Sequence, residues 1–261
     1  VVDKIFVGKP IENKPFYMSP VEIIIPFHNE QSKVIDLIND IFITVQKNMY
    51  VITLVDDGSD NKNFLKQLRE KKVEGLRFLS HDKCKGFGAS VNTALRNPHN
   101  KNIPFVVIMH SDVRVKDNNW LFNLGQTLVS MKNNGVKMIS SLTDNPMADV
   151  AALCGEKGVV KNDVVLSNGY LPMYCVIANR ELFNRIGFLK EFPYAGTEAE
   201  EFAYRMRSKG FKQGVCGSSW VHHIGGATLK QYENDKKVNK ILRNTYEEYL
   251  LTHKNTNDNN I

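Results

Sequence analysis

Four short apolar runs separated by amphipathic stretches fill the chain from Val21 to Met109, and few folds accept that order. The runs are Val21-Glu22-Ile23-Ile24-Ile25-Pro26, Tyr50-Val51-Ile52-Thr53-Leu54-Val55, Leu76-Arg77-Phe78-Leu79 and Val106-Val107-Ile108-Met109. They are rich in β-branched residues and mostly lack polar alternation, as expected of strands covered on both faces. Between the first two, Val34, Ile35, Leu37, Ile38, Ile41, Phe42 and Val45 recur at helical spacing, which predicts a helix over 31–47. Further helices are predicted over 62–72 and from the glycine-rich entry Gly86-Phe87-Gly88 to Asn97-Pro98. Strands and helices alternating in this way form a parallel sheet with right-handed crossovers, so the fold class is α/β.

Three of the runs end in polar clusters: Pro26-Phe27-His28, Asp56-Asp57 and His110-Ser111-Asp112. Ligands of open α/β sheets bind outside the carboxyl ends of the strands. Neighbouring strands lie about 5 Å apart, so the three ends fall within the span of one nucleotide diphosphate. Asp112 is a candidate site residue from its placement alone. Its alternative role is to cap a turn, which is common chemistry for Asp after a strand.

The second half is less regular. Residues 117–133 read as helix, 136–142 as strand, 179–186 and 197–209 as helices and 211–216 as strand. Residues 143–168 mix Asp, Asn, Gly and valine runs without a clear period, and are expected to form loops and short strands. Pro10, Pro15 and Pro20 mark residues 1–20 as an extended arm. One compact unit over 21–229 follows, then a charged helical stretch and a polar tail over 230–261. The 34 Lys and Arg against 28 Asp and Glu give a charge of +6, scattered rather than gathered into a nucleic-acid face, which suits a phosphorylated ligand. No apolar run approaches the ~20 residues of a membrane span, and the first residues lack a signal-peptide pattern. Cys84, Cys154, Cys175 and Cys216 form no CxxC pair. Reduced thiols and a cytoplasmic location are expected.

The strings VEIIIPFHNE, VDDGSD, KGFGASVN, HSD, EAEEFAYR and GFKQGVCGSSWVHHIGGAT occur in this order over residues 20–229. In that order they resemble the family 2 glycosyltransferases of the GT-A fold. The resemblance implies a Rossmann-like, mostly parallel sheet flanked by helices. Residues 21–115 would form the nucleotide-binding half and 116–229 the acceptor-binding and catalytic half. It places Pro26 in the base pocket, Asp57 as hydrogen-bond acceptor for the base, and Gly86, Asn92 and Ser111 along the nucleotide. The residues themselves leave Asp57 an alternative as helix cap, and Gly86 and Gly88 an alternative as plain helix-entry geometry. Lys85 and the helix start are also suited to a nearby anion. Cys84 stands where the family often has Asn.

Asp112 matches the metal-binding Asp at the end of the family's DxD motif, and His110 stands where the first Asp is usual. His223 fits the V-x-H-x-x-G-x-T position, starting at Val221, as a further ligand, with His222 as its rival. The implied cofactor is Mn2+ or Mg2+, and an imidazole ligand favours Mn2+. Inverting transfer also needs a carboxylate base. The family's Glu-Asp pair aligns with Glu198-Ala199, so the usual base is replaced by Ala199; Glu198 and then Glu200 are the candidates, and Glu201 is expected to pair with Arg205. A solvated acidic first turn is the alternative for all three. Trp220 and Tyr194 are expected to pack in the core rather than to wall an acceptor site.

The expected activity is metal-dependent transfer of a sugar from a UDP-, GDP- or dTDP-linked donor to a glycan, lipid-linked or protein acceptor. The competing reading is a binding domain that kept the fold and lost the chemistry. A nucleotidyltransferase would open with a glycine- and arginine-rich phosphate loop, and PFHNE is not one. The basic helix after residue 229 is read either as a peripheral membrane contact or as a solvated lid.

Overall fold

The computed structural model describes residues 20–144, 164–167, 169–193, 197–225 and 235–241, with 244 and 247. Most of the N-terminal arm, most of 143–168, Tyr194 and the polar tail lie outside these residues. The first half alternates as the sequence predicts: β1 (Val21–Phe27), α1 (Gln31–Thr44), β2 (Tyr50–Asp56), α2 (Asn63–Glu70), β3 (Leu76–Ser80), α3 (Phe87–Arg96) and β4 (Phe105–Met109). Then come β5 (Val113–Arg114), α4 (Trp120–Ser130), β6 (Val136–Thr143), β7 (Val164–Ser167), β8 (Cys175–Asn179), α5 (Arg180–Ile186), α6 (Glu198–Ser208) and β9 (Lys212–His223).

The strands form a sheet in the order β3-β2-β1-β4-β8-β6-β9-β5, with β7 also on β9. β3, β2, β1 and β4 are mutually parallel. β8 runs antiparallel to both β4 and β6, and β9 is parallel to β6 but antiparallel to β5 and β7. The sheet is therefore wholly parallel on the β3-β2-β1-β4 side and mixed beyond it. Helix α3 covers β1 and β2, α1 packs on β1 and β5, and α4 on β6, β8 and β9. Every residue of β1 is buried, because sheet neighbours lie on both sides and helices cover it. Burying each of Ile23, Ile24 and Ile25 stabilises the fold by about 1.5–3 kcal/mol.

Glu22 and Asp40 are buried with their partners. Glu22, at the start of β1, accepts from Thr53 Oγ1 and from Arg180 (2.6 Å), with Arg77 at 3.7 Å. Asp40 of α1 accepts two bonds from Arg114 and one from the Val115 amide, tying α1 to β5. Cys84, Cys175 and Cys216 are free thiols. Among the described residues no helix is long and apolar enough to cross a membrane.

β9 and Trp220 both depart from the sequence reading. β9 does not stop at Cys216 but continues to His223. Its register against β6 jumps from Ser141↔Cys216 to Leu142↔Trp220, so residues 217–219 are a bulge inside the strand rather than its end. Ser219 Oγ lies 2.8 Å from Ser141 Oγ there, which satisfies two buried hydroxyls. The bulge shifts the end of β9 over to β5, where Val113 pairs with His223. Trp220 is 41% exposed and not part of the core, because Val221 takes the inward side of the strand.

Candidate active site

The register places the carboxyl ends of β1, β2 and β4 on one edge: Phe27 pairs with Asp56, and Ile24 with Ile108. Beyond β4 the chain turns tightly, with the Val113 amide donating to His110 O and the His110 amide to Tyr174 O. The turn buries Ser111 and Asp112. Ser111 Oγ donates to Glu30 Oε2, and Glu30 also pairs with Lys33 at 3.1 Å. Glu30 belongs to the PFHNE string, but only the fold reveals it as the group that orients Ser111.

His110, Asp112 and His223 converge, each offering one ligand atom within 4.8 Å of the others. His223 Nε2 lies 3.3 Å from Asp112 Oδ1 and 3.3 Å from His110 Nδ1. Atoms sharing one cation at about 2.1 Å lie about 3 Å apart, so the spacing fits a common ion. Burial pushes the His110 imidazole down to about 4; Asp112 opposes the shift and His223 adds to it. At neutral pH His110 therefore carries the lone pair a metal needs. Two imidazoles and one carboxylate suit Mn2+ better than Mg2+. His222 is not part of the group: as a strand neighbour of His223 it faces the other way, and its Nδ1 lies 2.6 Å from Asp144.

Asp57 is buried at the end of β2, and its carboxylate accepts four bonds. The donors are His81 Nδ1 (2.7 Å), Cys84 Sγ (3.2 Å), and the amides of Lys85 (2.9 Å) and Gly86 (2.8 Å). The anion at the start of α3 is thus the protein's own carboxylate. Gly86 has φ 99, which a side chain resists, and this turn aims its amide at Asp57. His28 Nδ1 donates to the Asp57 carbonyl (2.9 Å), which joins the loop after β1 to the same centre. Pro26 is buried one residue before the end of β1, opposite Val55.

Asn92 has a different job from the one expected. Fully buried in α3, its Nδ2 donates to Leu189 O (2.8 Å) and Glu191 Oε1 (2.9 Å), and its Oδ1 accepts from the Leu189 amide (3.0 Å). With those bonds made it clamps the 189–191 segment. The Asn92 amide, followed by Arg96, holds the Glu191 carboxyl below its ordinary range.

Helix α6 delivers the three glutamates. Glu201 is held by Arg205 in a bidentate pair (2.7 Å each), as its spacing predicts, and Arg205 also donates to Ile186 O and Phe188 O. Glu198 is buried and packs at the first turn of α3. A Cβ added to Gly88 would lie 3.2 Å from Glu198 Cγ and 2.5 Å from Lys190 O. Phe87, the neighbour of Gly88, packs edge-on against His110 with ring centroids 5.0 Å apart. The first turn of α3 is therefore wedged between Glu198 and the histidine cluster. Gly88→Ala drives a methyl into the Lys190 carbonyl and is expected to cost about 1–3 kcal/mol, read as a lower midpoint in thermal unfolding. A wild-type midpoint would contradict the close approach.

Residues 22–136 match the family model described as Glycosyl transferase family 2. The fold is shared with solved glycosyltransferases. One is the crystal structure of GalNAc-T7 with UDP, GalNAc and Mn2+, at TM-score 0.65 and 15% identity over 80% of this chain and 44% of that one. Another is the mannosyltransferase PcManGT from Pyrobaculum calidifontis in complex with GDP-Man and Mn2+, at TM-score 0.62 and 17% identity over 80% and 60%. S. aureus TarS 1-349 in complex with UDP-GlcNAc follows at TM-score 0.55 and 15% identity, over 81% and 60%. The chain thus spans 44% and 60% of the first two. No curated protein sequence matches it.

Proposed function

From a GT-A fold whose residues 22–136 match glycosyl transferase family 2, we propose that this chain is an inverting, cation-dependent glycosyltransferase using a nucleotide-diphosphate sugar. The observation that carries the reading is the gathering of His110, Asp112 and His223 at the edge where β1, β2 and β4 end. These three residues would hold a divalent cation, Mn2+ before Mg2+. When bound it neutralises charge on the departing diphosphate. Pro26 and the loops fixed by Asp57, Gly86 and Ser111 shape the nucleotide edge. Solved relatives of the fold contain UDP with GalNAc, GDP-Man and UDP-GlcNAc, which supports a donor of this class.

In the proposed reaction Glu198 accepts the proton of an acceptor hydroxyl, with Glu200 as the other candidate in the same turn. The freed oxygen forms its bond to the anomeric carbon from the face opposite the diphosphate. The old bond from that carbon to the diphosphate oxygen breaks, and its electrons leave with the nucleotide. The acceptor is a glycan, a lipid-linked sugar or a protein. Ala199, at the position where the family carries its base, and His110, where the family has the first Asp of its DxD motif, are the residues that favour the second reading, a domain that binds the nucleotide without turnover.

Calorimetric titration of UDP, GDP and dTDP with and without Mn2+ tests the proposal. One nucleotide is expected to bind in a Mn2+-dependent manner, and Asp112→Ala to abolish the metal-dependent part. No binding of any nucleotide under either condition overturns the transferase reading. Binding without hydrolysis or transfer of a matching donor sugar favours the second reading.

A further inference from the structure

His110 follows β4 and His223 ends β9, strands that are not neighbours in the sheet, and one fully buried residue touches both histidines. Tyr174 stands immediately before β8, the strand hydrogen-bonded between β4 and β6. Its carbonyl accepts the His110 amide at 3.0 Å. Its ring stacks on His223, with centroids 5.0 Å apart and planes 20° from parallel. Its hydroxyl donates to Ser141 O on β6, which fixes the ring from the far end.

We infer that Tyr174 is the positioning residue of the metal cluster, holding the His223 imidazole in the plane that aims Nε2 at Asp112 and His110. The inference rests on the cation reading above. An imidazole at the end of a strand has two side-chain torsions to restrict, and a flat ring against its face restricts both. The electron-rich tyrosine face would also favour the positive charge that a metal-bound imidazole acquires. Outer residues of this kind commonly set metal affinity by about 10–100-fold. Nothing in the local sequence marks the residue: Tyr174 reads as the aromatic start of an apolar run.

The test compares wild type, Tyr174→Leu and Tyr174→Phe, without nucleotide or donor. Mn2+ affinity is measured by calorimetry, the Co2+ visible spectrum reports ligand geometry, and circular dichroism reports folding. Tyr174→Leu is expected to bind Mn2+ about 10–100-fold more weakly with a shifted Co2+ band. Tyr174→Phe keeps the ring and is expected to retain both near wild type. Wild type should also show a tyrosine ultraviolet difference signal on adding Mn2+, diminished in Tyr174→Phe; this arm decides the matter if the leucine variant does not fold. A folded Tyr174→Leu with wild-type affinity and Co2+ spectrum overturns the inference and leaves the cation site standing, as does an undiminished difference signal in Tyr174→Phe. Failure of wild type to bind either ion overturns both.

Discussion

Glu198→Gln is expected to lower turnover by about 10²–10⁴-fold while nucleotide and cation binding stay near wild type. The substitution keeps the side-chain volume and removes only the ability to take a proton. Three observations single out Glu198 among the acidic residues of α6. Glu201 is committed to Arg205, whose guanidinium also holds the Ile186 and Phe188 carbonyls, so losing Glu201 would disturb the packing of α5 on α6 before it touched chemistry. Glu200 is only partly buried. Glu198 is 4% exposed and packs at the α3 turn that also carries Phe87 against His110, so one turn of helix links it to the His110, Asp112 and His223 group. Initial rates with a matched donor and acceptor, beside calorimetry of the nucleotide, separate the outcomes. If Glu198→Gln turns over normally and Glu200→Gln is dead, the base lies two residues further on. If both variants are fully active, proton acceptance belongs to neither.

The strands whose carboxyl ends form the candidate edge are legible because burial on both faces dominates them. Val21–Phe27, Tyr50–Asp56 and Phe105–Met109 are apolar runs ended by polar turns, and local chemistry decides both their type and their limits. The late strand is not legible in the same way. Gly217-Ser218-Ser219 reads as a strand end on local grounds, yet long-range pairing with β6 on one side and β5 on the other carries β9 through it. β8 is not legible for a related reason: Cys175-Val176-Ile177-Ala178 is short enough to belong to either element, and only its place between β4 and β6 makes it a strand.

The site residues divide along the same line. Motif positions point to His110, Asp112 and His223, and the fold gathers all three. The same motif logic points to Asn92, whose side chain is bonded to the 189–191 backbone, a contact across ninety-odd residues that no local pattern encodes. Trp220 followed the general tendency of tryptophan to be buried, and strand alternation overrides it. Glu30, His81 and Tyr174 act by holding other residues. Their roles exist only once the elements that carry those residues are packed together.

Asp57→Ala is expected to destabilise the fold by about 3–5 kcal/mol, in the range for removing one partner from a buried, charge-assisted network. For a chain of this size that lowers the unfolding midpoint by roughly 6–20 °C. The reason lies in the count of bonds. A carboxylate has about four lone-pair sites, and His81, Cys84, Lys85 and Gly86 take one each. Removing the acceptor leaves a buried imidazole and two amides facing nothing, and the 81–86 loop loses its anchor. Asp57→Asn is milder, since its amide keeps one acceptor oxygen but turns donors toward donors. The same count sets the functional expectation. With its lone pairs engaged, Asp57 is expected to affect nucleotide binding through the loop it holds, so Asp57→Asn should weaken UDP, GDP and dTDP together. A base-contacting Asp57 would behave otherwise: the variant would keep the wild-type melting midpoint and lose only its preference among the three nucleotides. Thermal unfolding beside calorimetry on the single Asn variant distinguishes the two roles, and a wild-type midpoint with altered base preference would return Asp57 to direct contact with the base.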